Sequence, residues 1–176
     1  MAKKAQKKKA NATKRRAHGK KLGRIDLNRI LVPIDFSGFS RKALQYAIPF
    51  SRQFKASIDL IYVVEPTVYP ADFSFGQVGF PAIEDELRKR AADELDELVR
   101  HEIGKKVPAR RAIRTGKAFY EIIQYAREEK MDLIIIATHG HTGIEHALFG
   151  STAEKVVRKA PCPVLVVRND EREFVR

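Results

Sequence analysis

The chain is predicted to fold as an α/β domain: a doubly wound, Rossmann-like, five-stranded parallel sheet. Three observations predict it. From Arg29 to Arg168 short apolar runs alternate with longer segments of helical period. The apolar runs are nearly unbroken, as strands covered on both faces are. Their order, β-α-β-α-β-α-β-α-β, makes every connection a crossover, which gives parallel strands with helices on both sides.

The first run, RILVPID (29–35), is a buried strand ending on Asp35. Behind it, SRKALQYAIPFSRQF (40–54) sets Ala43, Leu44, Ala47, Ile48, Ser51 and Phe54 on one helical stripe. Ser40 is the expected N-cap, because a serine hydroxyl there accepts a first-turn amide. Pro49 lies inside the stripe and is expected to kink the helix, since it removes a backbone hydrogen bond. SIDLIYVVE (57–65) is the second strand. Residues 66–82, PTVYPADFSFGQVGFPA, hold three prolines, two glycines and four aromatics. They read as an apolar loop, either packed on its own domain or serving as a ligand lid or partner surface. Ile83, Leu87, Ala91, Leu95, Leu98 and Ile103 mark a long amphipathic helix. The third strand, near 107–114, is less apolar and belongs at a sheet edge. AFYEIIQYAREE carries the stripe Phe119, Ile122, Ile123 and Ala126, and DLIIIAT (132–138) is expected to be the most deeply buried strand. STAEKVVRKA and Pro163–Arg168 supply the last helix and strand.

At 176 residues the chain has room for one domain plus appendages. The net charge of +12 is concentrated at one end: residues 1–24 hold eleven of the 34 Lys and Arg and none of the 22 Asp and Glu. The rest is nearly neutral. Such a tail buries too little apolar surface to offset its ordering entropy, so residues 1–25 are expected to be a disordered basic tail, 26–170 the folded domain and 171–176 a C-terminal tail. No apolar run approaches the ~18 residues of a membrane span, and no signal-like stretch opens the chain, so a cytoplasmic protein is expected. Cys162 is the sole cysteine. It is expected to be a buried, inert thiol.

In doubly wound sheets ligands bind beyond the carboxyl ends of the strands, where the winding reverses. The candidate positions are therefore 35–37, 63–65 and 138–143. The last begins a histidine-rich loop, HGHTGIEH (139–146), that ends in FGSTAEKV. Ser151 with Glu154 three residues later reads as a capping box, so a helix should start at 151 with its amides and positive dipole end toward the loop. Gly140, Gly143 and Gly150 let the backbone approach an anion. Metal binding by His139, His141 and Glu145, or a catalytic histidine, competes with a reading in which His139 bonds loop backbone and His141 and His146 are solvated. The metal reading lacks a recognisable ligand set with second-shell support, and the catalytic reading lacks a Ser or Cys partner.

Two stretches, RILVPIDFSGFSRKAL and ATHGHTGIEHALFGSTAEKVVRKAPCPVLVVR, resemble the universal stress protein family, and the resemblance covers Arg29 to Arg168. The family's nucleotide-binding branch carries Gly-x-x-Gly, nine residues, then Gly-Ser or Gly-Thr. Ala137, Gly140, Gly150 and Ser151 occupy those places, and His141 stands where many relatives have Arg or Lys. The resemblance implies a nucleotide site made of Pro33, Asp35, Val63, Ala137, His139, Gly140, His141, Gly150, Ser151 and Thr152. In it Asp35 would meet the adenine or ribose and the Val63 backbone the adenine, while Gly140, His141, Gly150, Ser151 and Thr152 would surround the phosphates. It implies ATP with Mg²⁺ as ligand, no catalytic residue, and a homodimer through Pro163–Arg168. The chain has no GxxxxGK[ST] lysine loop, so efficient phosphoryl transfer is not expected; weak self-phosphorylation at Ser151 or Thr152 is the enzymatic alternative. A second reading makes residues 1–24 a docking element for nucleic acid or an acidic partner, with affinity falling steeply with salt.

Overall fold

β1 (Arg29–Pro33), β2 (Ser57–Val64), β3 (Ala109–Thr115), β4 (Leu133–Ala137) and β5 (Val164–Val167) form one parallel sheet in the order β3-β2-β1-β4-β5. The winding reverses between β1 and β4. The computed structural model describes residues 25–65, 80–105, 107–140, 150–168 and Arg172, and at 80–83 the backbone alone. The basic tail of residues 1–24 and the segment 66–79 lie outside the described residues.

Alternate side chains of each strand enter one of two cores. Ile30 and Val32 of β1, with Ile58 and Leu60 of β2, lie with Ala43, Leu44 and Ala47 of α1 (Gly38–Phe54) and Leu95 and Leu98 of α2 (Phe80–Leu98). Leu31, Ile61, Ile134 and Ile136 lie instead with α3 (Ala118–Glu128) and α4 (Ser151–Lys159). Both faces are thus dry, which is why the strands read as unbroken apolar runs. β3 is an edge, as its composition predicts, and the last four residues of β4 are buried.

Four details differ from expectation. Ser37, not Ser40, caps α1: its hydroxyl accepts the Ser40 amide at 3.2 Å while its backbone stays extended. Ser40 is one turn in and buried. α2 starts at Phe80 rather than after 82, because Pro81 in a first turn gives up an amide that has no partner there anyway. On α2, Ala91, Leu95 and Leu98 are buried but Leu87 is 45% exposed, and the Ile83 side chain is outside the described residues. The helix then widens into a π-helical turn, Val99–Ile103, which closes with Gly104 N–H donating to Val99 O at 2.9 Å. The wider turn returns Ile103 to the buried face, where it is 2% exposed. α1 continues through Pro49 to Phe54 as one helix.

The amino ends of the strands carry an ion cluster built round one buried carboxylate. Asp59 of β2 is fully buried and accepts from Arg110 Nε at 3.0 Å, Arg110 Nη2 at 2.7 Å and Tyr125 Oη at 2.9 Å. Arg29 is 3.5 Å away and pairs at 2.7 Å with Glu129. Burial pushes the Asp59 carboxyl above its ordinary range, against the Tyr125 hydrogen bond and the Arg29 charge that pull it down. The cluster ties β1, β2, β3 and α3 together at the end opposite the cleft described next.

Candidate functional site

At the carboxyl ends of β1, β2 and β4, where the winding reverses, the structure opens a cleft of about 320 Å³. That volume lies within the range of small-molecule sites, about 300–1,000 Å³. Its lining includes the apolar Pro33, Ile34, Ile61, Val63, Ile122 and Ile136, the carboxylate of Glu65, and Gly150, Ser151 and Thr152.

β1 gives way to a sharp turn that aims Asp35 into this space. Phe36 has φ of 63°, a backbone region bulky residues rarely adopt, and its ring packs 5.0 Å from Tyr62. Asp35 Oδ1 accepts from Ser37 Oγ at 2.5 Å and from Ser37 N–H at 3.1 Å. The same hydroxyl that caps α1 therefore also orients the carboxylate. Oδ2 lies against Gly140, where any Cβ would run into it. Burial pushes the Tyr62 phenol up, and Glu94 and Asp35 add to the effect.

Across the cleft α4 begins at Ser151, as expected, but its cap differs. Gly150 is the N-cap, extended at φ −69°, and among the described residues no side-chain cap is made to the first turn. Ser151 is the first helical residue, so it does not form the capping box its spacing suggests. Gly150 N–H donates to Thr138 O at 2.7 Å, pinning the two ends of the histidine-rich loop together. A Cβ on Gly150 would sit 3.1 Å from that carbonyl. The N-terminus of α3 also lies at the cleft, where Glu65 accepts the Ala118 amide at 2.7 Å.

A family model described as "Universal stress protein family" matches residues 27–168. The chain belongs to the universal stress protein family. It is 33% identical over 153 residues to universal stress protein MJ0531 of Methanocaldococcus jannaschii, covering 82% of this chain and 84% of that one. The solved structure of UspA from Lactobacillus plantarum superposes with a TM-score of 0.70 at 26% identity, covering 82% of this chain and all of that one. Two further universal stress protein structures, one in complex with cAMP and one from Archaeoglobus fulgidus in complex with dAMP, share the fold at 19% and 17% identity, with TM-scores of 0.54 and 0.52.

In this universal stress protein nine of the ten residues named from sequence line the cleft together: Pro33, Asp35, Val63, Ala137, His139, Gly140, Gly150, Ser151 and Thr152. The tenth, His141, lies outside the described residues. Ala137, at the end of β4, is absent from the positive-φ positions, and its methyl belongs to the core under α1. The replaced glycine therefore costs no backbone strain. His139 Nδ1 sits 3.0 Å from Thr138 Oγ1, and its ring is 5.9 Å from Phe39. Among the described residues no three ligand-type side chains gather as a metal site; His141, Glu145 and His146 are outside them. Cys162 is half-buried, not buried, and burial followed by Asp132 pushes its thiol up, which keeps it protonated.

Sequence reasoning missed the contribution of α3, through Ala118 and Ile122; Glu65 and Thr138 fall within its candidate positions 63–65 and 138–143 but outside the set the family resemblance implies. One signal was available. In a parallel sheet every helix that follows a strand starts at the carboxyl end, so the residues opening α3 share that end with β1 and β4.

Proposed function

We propose that the chain binds ATP in this cleft, with Mg²⁺ entering on the phosphates, as a dimeric cytoplasmic stress-response protein that hydrolyses the nucleotide slowly or not at all. The observation that carries the reading is the α4 N-terminus. A glycine-capped first turn, with no side-chain cap among the described residues, borders a cleft that also has apolar lining. Those amides and the helix dipole suit a phosphate, while Pro33, Ile61, Val63 and Ile122 suit a base. Asp35, oriented by Ser37 and lining the same cleft, is placed to accept from the sugar or the base. Adenine nucleotides occur in two chains of this fold, the cAMP and dAMP complexes above, but the reading rests on the cleft itself. His141 would join the phosphates from the adjoining loop.

The test uses Ser151→Asp. An acidic residue in the first turn of a helix favours the helix, so the fold is retained, yet it puts a negative charge where the phosphates would sit. By calorimetry, ATP affinity is expected to fall at least tenfold, about 1.4 kcal/mol. Unchanged affinity in a folded Ser151→Asp protein, or no ATP binding by the wild type, would overturn the reading. Denaturing freshly purified protein and resolving the released nucleotides by chromatography reports what it carries from the cell.

A further inference from the structure

Asp35 sits in a turn, DFSGFS (35–40), that two serines hold together. Phe36 bends it at φ of 63°, a left-handed backbone that a bulky residue adopts only at a cost in free energy. Such a conformation persists where its surroundings fix it. Ser37 and Ser40, 8% and 4% exposed, supply the fixing bonds.

Both hydroxyls are engaged on two sides. Ser37 Oγ–H donates to Asp35 Oδ1 at 2.5 Å beside the Ser37 amide at 3.1 Å, so Ser37 alone brings two donors to that oxygen. Ser40 Oγ–H donates to the Ser37 carbonyl at 3.1 Å and accepts the Asp35 amide at 3.4 Å. The Ser40 amide donates to Ser37 Oγ at 3.2 Å, which is the cap of α1. A closed ring of hydrogen bonds thus joins the two serines to the backbone and the carboxylate of Asp35. Capping uses only the lone pair of Ser37 Oγ. An aspartate would cap α1 as well, but it has no proton to give and would repel Asp35. Asp35 and Ser40 line the cleft, whereas Ser37 is not among its lining residues.

We propose that Ser37, anchored by Ser40, is a positioning residue for the cleft: with its lone pair it caps α1, and with its proton it holds Asp35 in one orientation ahead of the ligand. A hydroxyl–carboxylate bond is stronger than a neutral one, and an acceptor fixed in advance spares the ligand the ordering of that side chain. Affinity in the cleft then depends on a hydroxyl outside it, and depends on it only through Asp35. The inference rests on the nucleotide reading above for its probe and adds to it a residue that acts on the ligand at second hand.

The full-length protein and its Ser37→Gly variant are titrated with ATP in Mg²⁺ by calorimetry. Glycine caps a helix nearly as well as serine and suits the extended backbone at 37, φ −68°, so the fold is kept while the hydroxyl is lost. ATP affinity is expected to fall roughly fivefold or more. In an Asp35→Ala background the same change should alter affinity by less than about twofold, because the group it acts through is gone. A purely structural part for Ser37 would lower affinity equally in both backgrounds. Ser40→Ala, which helix propensity favours, should show the same dependence on Asp35 with a smaller loss, and it carries the test if Ser37→Gly does not fold. A crystal structure of the ligand-free variant should show the Asp35 carboxylate turned from its place against Gly140, which gives the answer if Asp35→Ala binds too weakly to titrate. Wild-type affinity in the folded variant, an equal loss in both backgrounds, or an unmoved carboxylate overturns the positioning role while nucleotide binding stands. A wild-type protein that binds no ATP removes the nucleotide reading and this inference with it.

Discussion

Gly140 illustrates how a residue's position is legible before its reason is. From sequence it is a glycine that lets a phosphate approach; in the structure the missing side chain is aimed at Asp35 Oδ2. A methyl at 140 must displace a carboxylate whose other oxygen holds the Ser37 hydroxyl, and that hydroxyl caps α1. Gly140→Ala is therefore expected to cost stability as well as ligand affinity, on the order of 1 kcal/mol, the typical weight of an N-cap. In an Asp35→Ala background the collision is gone and the penalty should largely vanish. A double-mutant cycle by urea denaturation measures this: coupling near 1 kcal/mol is expected, and strict additivity would mean the two residues do not touch. No local pattern announces the pair, since Asp35 and Gly140 lie far apart in sequence. Ser37 and Ser40 show the same limit, because both have N-cap chemistry and only the turn at Phe36 decides between them.

Among the elements, β2 and α3 are joined by a contact that hydropathy does not reveal. Asp59 interrupts an apolar strand and is fully buried because Arg110 of the neighbouring strand and Tyr125 of α3 converge on it. Tyr125→Phe removes one hydrogen bond to a buried charged group, worth about 1.5–3 kcal/mol. Its pH dependence follows from the direction of the Asp59 shift. Because burial raises the folded carboxyl above its unfolded value, the stability associated with Asp59 is fully present in acid and is lost as pH rises through the folded value. The tyrosine opposes that shift, and its own phenol, pushed up by burial and Asp59, stays protonated and donating. The variant's deficit should therefore be smaller in acid, where Asp59 takes up its proton, than at pH 7. Urea denaturation in acid and at pH 7 checks this, and a deficit that shrinks toward neutrality contradicts it. Element type and order were legible because they depend on period and burial. The start of α2 and the turn after Leu98 were not: Pro81 is compatible with a loop or a first turn, and the π-helical turn appears only where Ile103 has a core to reach.

For the whole molecule the two edges of the sheet differ in a way that bears on assembly. β3 is sealed by arginines in ion pairs: Arg110 with Asp59, Arg111 with Asp96 and Arg114 with Glu128. Long charged side chains along an edge discourage another strand from pairing there. β5 carries no charge; Val164, Leu165 and Val166 are half-buried, and Val157 of α4 is 44% exposed. If the chain pairs with a second copy, the proposed homodimer is expected across β5, where the contact between identical strands would be isologous and antiparallel. Val166→Lys would bring two ammonium groups toward the two-fold axis, so dimer affinity should fall by at least a hundredfold, about 2.7 kcal/mol. Arg111→Ala, on the opposite edge, should leave assembly unchanged. Light scattering at micromolar concentration is expected to show a wild-type dimer, an Arg111→Ala dimer and a Val166→Lys monomer whose circular dichroism stays native. A wild-type monomer would end the proposal, and a Val166→Lys dimer of wild-type strength would move the interface away from β5.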